Sequence, residues 1–229
     1  MANPSTVDEA IPVMQYIIDE MNRNANSQDA RLIRDNNTFD ANTCIANWQG
    51  KPLWQQFLGF AGMDPQQCMD MKMSTKGAAL LGWTLKVMQG ADWDHKTTIP
   101  KLFGARNPYW HILQGYEYYY DIWSNVHYGY VGAACAFSES MLLDGAGLEQ
   151  IGSSLARLSA PQISPGVKGM RKFDDPSDRA SITIGIKLYQ AKPKFVTVFD
   201  LTMEILSNKD LTKRPAPAAK AAPAAGGRR

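Results

Sequence analysis

Residues 7–22 read VDEAIPVMQYIIDEMN, and this stretch is the first indication of the fold class. Its apolar residues recur every three or four positions, which is the spacing of an amphipathic helix. Asp8 and Glu9 suit the positive end of the helix dipole. Pro12 lies about one turn inside the pattern and indicates a distorted or delayed start. We therefore predict a helix over about residues 7–22.

Four later stretches are also typical of helices. Residues 51–68 hold Trp54, Phe57, Leu58 and Phe60 between two prolines, which predicts a short buried helix. Residues 76–89, KGAALLGWTLKVMQ, predict a largely buried helix. The small apolar residues of 129–143 predict a central helix that packs closely against others, and 195–206 predicts a last helix.

Two segments are ambiguous between helix and strand. Residues 181–189 alternate like a strand, but Asp175 and Pro176 form a helix-start signature before them, so we favour a helix. The aromatic run 109–124 fits a helix or a strand, and its periodicity does not decide between them. No two segments read as a convincing hairpin.

The fold class that follows is mainly α, a single compact helical domain with at most a minor β element. We assign residues 1–211 to this domain and 212–229 to a disordered basic tail rich in Ala and Pro. We expect removal of 213–229 to leave catalytic turnover intact.

Composition limits the class of protein. Of the 229 residues, 45% are hydrophobic and 20% are charged, a globular balance that excludes a mainly disordered chain. The net charge is +2, but the tail carries five cations and no acid, so the body has a charge of about −3. The body therefore has no net basic character that would suggest general affinity for nucleic acids. The first ten residues lack the features of a signal peptide, and no apolar run is long enough to span a membrane.

The chain has three cysteines, Cys44, Cys68 and Cys135, and no CxxC motif. This pattern predicts neither a disulfide framework nor a structural zinc site. A reducing compartment is the default interpretation, and one bridge stays possible. Cys135 in an apolar helix is typical of a core residue, with a cysteine nucleophile near His127 as the alternative.

Histidines are the main candidates for chemistry, because imidazole exchanges protons near neutral pH. His95 lies in the loop-like segment WDHK, and His127 lies in NVHYG. His111 lies between Trp110 and Ile112 and is more typical of a structural histidine. The usual motifs for nucleotide binding, zinc proteolysis and α/β-hydrolase chemistry are absent from the sequence.

Four motifs in one order carry a family resemblance: WDHK (93–96), YDIWSNVHYGYVG (120–132), LLDGAGLEQ (142–150) and FDDPSD (173–178). In combination they resemble the bacterial polymorphic toxin type 44 domain, over roughly residues 10–190. The resemblance implies a toxin of secreted effectors, with ribonuclease activity as the family's predicted function. It also implies a cognate immunity protein and the delivery machinery of a secretion system as partners. We expect synthesis in the cytoplasm and export into a target cell.

We expect the active site where the WDHK loop meets the NVHYG segment, in one cleft. The candidate catalytic residues are His95, His127, Asp94, Asp121 and Glu139, and the candidate substrate-binding residues are Lys96, Trp93, Asn125 and Tyr128. Asp94 or Asp121 would fix the tautomer of a histidine. No cofactor is required by the sequence. A divalent cation is possible at Asp174, Asp175 and Asp178, although a capped helix start explains this group equally well.

Three functions stay open at this point. The first is a ribonuclease in which His95 and His127 act as base and acid while Lys96 stabilises the phosphate. The second is a periplasmic cell-wall hydrolase that pairs Glu139 or Glu117 with Asp121 or Asp144, with the aromatic run lining a sugar groove. The third is a non-enzymatic interaction module, which predicts that His95 and His127 are buried or far apart.

Overall fold

The computed structural model describes residues 8–144 and 175–217, and these residues are mainly helical. In chain order the elements are α1 Ala10–Ala25, α2 Gln28–Asn37, α3 Ala41–Gln49, α4 Leu53–Phe57, α5 Pro65–Val87, α6 Ile99–Phe103, β1 Trp110–Leu113, β2 Tyr116–Tyr119, α7 Asp121–Ala134, α8 Glu139–Asp144, α9 Pro176–Ala191, α10 Val198–Ser207 and β3 Lys213–Pro215. The predicted mainly α fold with a minor β element is confirmed. No helix among the described residues is long and apolar enough to cross a membrane.

Helix α7 is the centre of the fold, with α1 on one side and α9 on another. Most of its side chains are buried. The predicted central helix over 129–143 was wrong in its bounds, because the chain leaves the helix at Cys135 and Ala136. Ala136 has φ +61°, and the Phe137 amide donates to the Gly132 carbonyl, which turns the chain before α8.

The cap predicted at Asp175 is present, and its carboxylate accepts a 2.8 Å hydrogen bond from the Ser177 amide. Residues 181–189 are helical, as we favoured. Their strand-like alternation arises because Ile182, Ile184 and Ile186 are all buried on a helix that packs against α7, α8 and α10. A helix covered on several sides does not need a single apolar stripe.

The aromatic run contains a β-hairpin, which the sequence analysis missed. β1 and β2 pair antiparallel, with Trp110 opposite Tyr119 and Leu113 opposite Tyr116. The turn is Gln114-Gly115, and both residues have positive φ, +49° and +79°. Positive φ at both central positions is the type I′ geometry that a two-residue hairpin favours, and a glycine supplies it readily.

The start of the predicted disordered tail is instead an ordered strand. β3 pairs antiparallel with β2, with Arg214 opposite Glu117. The Arg214 guanidinium lies 2.6 Å from Glu117 and stacks 4.0 Å from the centre of the Trp110 ring. These contacts give residues 213–215 a fixed place that their composition does not reveal. The rest of the predicted tail, 218–229, lies outside the described residues.

The predicted buried helix in 51–68 was wrong. The segment forms α4 and the loop after it, and we call residues 50–63 the apolar tip. Leu53, Phe57 and Phe60 are 81%, 91% and 72% exposed. Among the described contacts no helix covers this side, so apolar composition did not mean burial here.

Helix α5 also departs from the prediction, because it begins at Pro65 and is largely exposed. Its buried residues are Cys68, Ala79 and Trp83, since it packs mainly on α2 and α3 along one side. Cys68 forms a disulfide with Cys44 of α3, with 5.9 Å between the Cα atoms. This bridge closes the base of the apolar tip and is the single bridge that the cysteine pattern left possible.

Candidate active site

The structure brings His95 and His127 into contact. Their ring centroids are 4.2 Å apart, and the rings are nearly perpendicular. His95 lies in the turn before α6, where its carbonyl accepts the amides of Thr98 and Ile99 and so starts that helix. His127 lies in the middle of α7. The two side chains are 2% and 1% exposed, so the pair is a buried feature of the fold.

Each imidazole is hydrogen-bonded to a side chain of the same helix, α1. The Tyr16 hydroxyl lies 2.9 Å from Nδ1 of His95, and the Asn24 amide nitrogen lies 3.0 Å from Nε2 of His127. The sequence analysis did not choose Tyr16 or Asn24. One signal was available, because Tyr16, Glu20 and Asn24 recur every four residues and form a polar stripe on an otherwise apolar helix face.

Burial keeps both imidazoles neutral near pH 7. Desolvation holds the pKa of His127 well below its usual value, and the His95 and Arg23 charges act in the same direction. Desolvation also lowers the pKa of His95, while Glu20 and Asp94 oppose this shift. The second ring nitrogens, Nε2 of His95 and Nδ1 of His127, have no hydrogen-bond partner among the described residues. They are the atoms of the pair that remain for a substrate.

The carboxylates expected to orient an imidazole have other partners. Asp94 accepts hydrogen bonds from the amides of Gly90 and Lys96, and so shapes its own turn. Asp121, the first residue of α7, lies 2.7 Å from the Lys96 ammonium. In this geometry the ring partners are the Tyr16 phenol and the Asn24 amide.

The other predicted polar residues form a second cluster on a different side of α7. The Asn125 amide donates a 2.6 Å hydrogen bond to Asp178 of α9. Burial raises the pKa of Asp178, and the nearby Lys96 charge opposes this. Asn125 and His127 are two positions apart on a helix, so their side chains point about 200° apart. The single predicted cleft is therefore divided, and Lys96, next to His95 in the chain, lies between its two parts.

Trp93 and Tyr128, predicted to bind substrate, pack in an aromatic cluster. Both stack against Trp83, with ring centroids 5.8 and 5.1 Å apart. Burial raises the pKa of the Tyr128 hydroxyl. These contacts give the two rings a packing role that extends from the histidine pair into the core.

Glu139 and Cys135 do not join the histidine pair in the way the sequence suggested. Glu139 is exposed at the first position of α8, in a different helix from Cys135. Cys135 is buried at the end of α7, and burial raises the pKa of its thiol to about 12. A thiol with so high a pKa is a poor nucleophile, so this geometry gives the nucleophile alternative no support.

The possible cation site has no support among the described residues. Asp175 caps α9, Asp178 binds Asn125, and Asp174 lies outside the residues that the structure describes. Within those residues, no group of three His, Cys, Asp or Glu side chains is placed to hold a metal ion. Asp144 ends α8, and its side chain also lies outside the described part.

Comparison with known proteins adds one finding. Residues 82–191 match the sequence profile of the family described as Bacterial toxin 44. No curated protein and no solved structure matches the chain. The matched segment contains both histidines of the pair, with the second cluster, and it leaves out α1. Over residues 82–191, the chain is therefore similar to the family described as Bacterial toxin 44.

Proposed function

We propose that this chain is the toxic part of an antibacterial effector and that it cleaves RNA through His95 and His127. The observation that carries the proposal is the contact between two neutral imidazoles, 4.2 Å between centroids, inside the toxin domain. Each ring has one nitrogen without a protein partner. At this short distance, a lone pair on one ring can act as the base and an N–H on the other can act as the proton donor for one scissile bond.

The chemistry requires no cofactor to balance. One imidazole nitrogen removes the proton of a ribose 2′-hydroxyl, whose oxygen attacks the adjacent phosphorus. The bond from phosphorus to the 5′-oxygen breaks, that oxygen takes a proton from the other ring, and the first ring passes the proton it gained to that ring. Both imidazoles end neutral, and a 2′,3′-cyclic phosphate is left. Lys96, next to His95 in the chain and 11% exposed at its side chain, is the candidate to stabilise the phosphate charge.

Access to the pair requires a local movement, because both rings are buried. The residues around His95 are the best suited to move, since 88–98 form turns rather than a helix or strand. Opening of these turns would expose His95 while leaving His127 fixed in α7. Substrate would then replace the protein surface over the unpartnered nitrogens.

The test is cleavage of total RNA by purified protein and by His95→Ala and His127→Ala. We expect each substitution to lower the rate by about 10²–10⁴-fold, the usual contribution of general acid–base catalysis. His111→Gln is the matched control, because His111 binds Trp123 and lies outside the pair. Circular dichroism verifies that all three variants fold. RNA that stays intact at high protein concentration would rule the proposal out.

A periplasmic cell-wall hydrolase is the second candidate, and the disulfide favours it. The Cys44–Cys68 bridge is typical of proteins that work in oxidising compartments. Glu117 is a poor candidate for the general acid of such an enzyme. Burial raises its pKa, but Arg214 and Arg106 outweigh burial and hold the pKa below its usual value. Expression of the chain in the cytoplasm or in the periplasm decides, since this candidate predicts toxicity only in the periplasm.

The partners and the site of action belong to the same proposal. A toxin domain of this family makes a cognate immunity protein an expected partner, and delivery into a target cell through a secretion system is the expected route. The non-enzymatic alternative predicted histidines that are buried or distant. The pair is buried but not distant, and the alanine variants separate that alternative from an enzyme.

A further inference from the structure

Helix α1 carries a chain of hydrogen-bonded polar side chains that leads from the surface to His127. Glu20 is only 6% exposed, and its carboxylate pairs with Arg23 one turn along the helix. The same carboxylate lies 3.2 Å from the side-chain nitrogen of Asn24. Asn24 in turn lies 3.0 Å from Nε2 of His127. The order of contact is Arg23, Glu20, Asn24, His127.

Glu20 determines which way the Asn24 amide faces. A carboxylate paired with an arginine can only accept hydrogen bonds, so the Asn24 group beside it must be the NH₂. That NH₂ has two hydrogens, one for Oε2 of Glu20 and one for Nε2 of His127. The opposite orientation would place the amide carbonyl oxygen against the carboxylate oxygen, where both atoms are negative.

We propose that Glu20 and Asn24 are positioning residues that fix His127 as the tautomer protonated at Nδ1, which makes His95 the base of the pair. Nε2 of His127 accepts from Asn24, so its lone pair is occupied. Its free nitrogen, Nδ1, carries the hydrogen and can only donate. For the remaining lone pair to lie on Nε2 of His95, Nδ1 of the same ring donates to the Tyr16 hydroxyl, which lies 2.9 Å away.

The tautomer assignment stands on the geometry alone, while the base and donor roles rest on the proposed function. Both determinants lie in α1, outside the matched segment 82–191. The toxin domain therefore receives its tautomer control from the helix that precedes it in the chain.

The first experiment measures the tautomer without any substrate. Long-range ¹H–¹⁵N spectra of the full chain at pH 7 distinguish the protonated ring nitrogen from the bare one. We expect His127 to be protonated at Nδ1, and Glu20→Gln to populate the Nε2-protonated form, because Asn24 can then turn over. Asp19→Asn, an exposed acid of the same helix, is the matched control and should leave the spectrum unchanged.

Two results would overturn the tautomer assignment: a wild-type His127 protonated at Nε2, or identical His127 signals in the wild type and Glu20→Gln. The role assignment is tested by His127→Asn and His95→Gln. Asparagine keeps an amide donor near the place of Nδ1, whereas glutamine leaves no basic nitrogen. We expect His95→Gln to lose about 10²–10⁴-fold in RNA cleavage and His127→Asn to lose much less.

Equal losses in these two variants would overturn the roles of base and donor. If the wild-type protein leaves RNA intact, the proposed function fails and the roles fail with it. The spectra then still decide the tautomer, so the two failures are distinguishable.

Discussion

All three histidines of the chain are buried, and each is kept neutral by its surroundings. His111 differs from the pair in having a single clear role: its Nδ1 accepts a 3.1 Å hydrogen bond from the Trp123 indole. Burial lowers the pKa of His111 to about 4. Three such residues in one core link the stability of the protein to pH.

We expect the free energy of unfolding to fall as the pH is lowered below about 6.5. The unfolded chain takes up protons at the ordinary histidine pKa, while the folded chain resists protonation until a lower pH, so acid favours unfolding. Each histidine contributes a slope of at most about 1.4 kcal/mol per pH unit between its two pKa values. For His111 this window runs from about 6.5 to about 4.

Urea denaturation between pH 7.5 and 4.5 measures this slope. His111→Gln removes one titrating group, so its curve should be less steep than that of the wild type. A wild-type stability that stays constant over this range would contradict the linkage.

Residue types revealed part of the site but not its partners. His95 and His127 could be chosen from sequence because the chain has few histidines and both have polar neighbours. Tyr16 and Asn24 lie far away in the chain, and their polar stripe on α1 does not by itself indicate which residues they contact. The division between His127 and Asn125 was missed because NVHYG was expected to lie at the entry to a helix and is instead inside one.

At the scale of elements, α7 and α9 approach each other closely through their backbones. A Cβ placed on Gly129 of α7 would lie 2.1 Å from the Ile182 carbonyl oxygen. A Cβ on Gly185 of α9 would lie 2.1 Å from the Val126 carbonyl oxygen. Each helix thus presents a glycine to the backbone of the other, and this lets α7, which carries His127, pack directly against α9.

Gly129→Ala and Gly185→Ala should each destabilise the fold by about 3 kcal/mol, the upper part of the range for overpacking, because the obstacle is backbone. Gly77→Ala is the matched control. Gly77 lies inside α5 with open space around it, so alanine there should stabilise by about 0.5–1 kcal/mol. Thermal or urea unfolding of the three variants checks the prediction, which fails if the helix-crossing variants behave like Gly77→Ala.

Sequence signals that act directly on the backbone, such as helix caps, predicted the elements well. The Asp175 cap outweighed the strand-like alternation after it, because a capped first turn specifies a helix directly. The apolar tip was wrongly predicted to be buried. Apolar composition shows that a segment could be buried, but burial also requires another element that packs against it. The Gln114-Gly115 turn was missed because it lacks the Asn or Asp that usually marks such hairpins.

At the scale of the whole molecule, the C-terminal strand ties the chain end to its start. Glu117 of β2 is 1% exposed and pairs with Arg214 of β3 and with Arg106. Arg106 also binds Glu9, next to the start of α1. The predicted boundary at residue 211 therefore separates residues that hold one ion-pair network.

Deletion of 213–229 should lower the free energy of unfolding by about 2 kcal/mol, because buried Glu117 loses a charged hydrogen-bond partner and β2 loses its neighbour. Deletion of 218–229 keeps β3 and is the matched control, with no expected change. Urea midpoints of both truncated chains measure the difference. Equal stabilities would show that β3 contributes nothing.

The disulfide spans the apolar tip, so a proteolytic cut within the tip would leave the two fragments covalently joined. Phe57 is 91% exposed and lies between the bridged Cys44 and Cys68, so chymotrypsin should cut there first. The first piece would keep α1 and the second would keep both histidines. Denaturing gels should show one band without reductant and two bands with it, and a chain left uncut at the tip would contradict this. A nicked molecule would then remain covalently one object in an oxidising compartment and become two pieces, held by packing alone, in a reducing one.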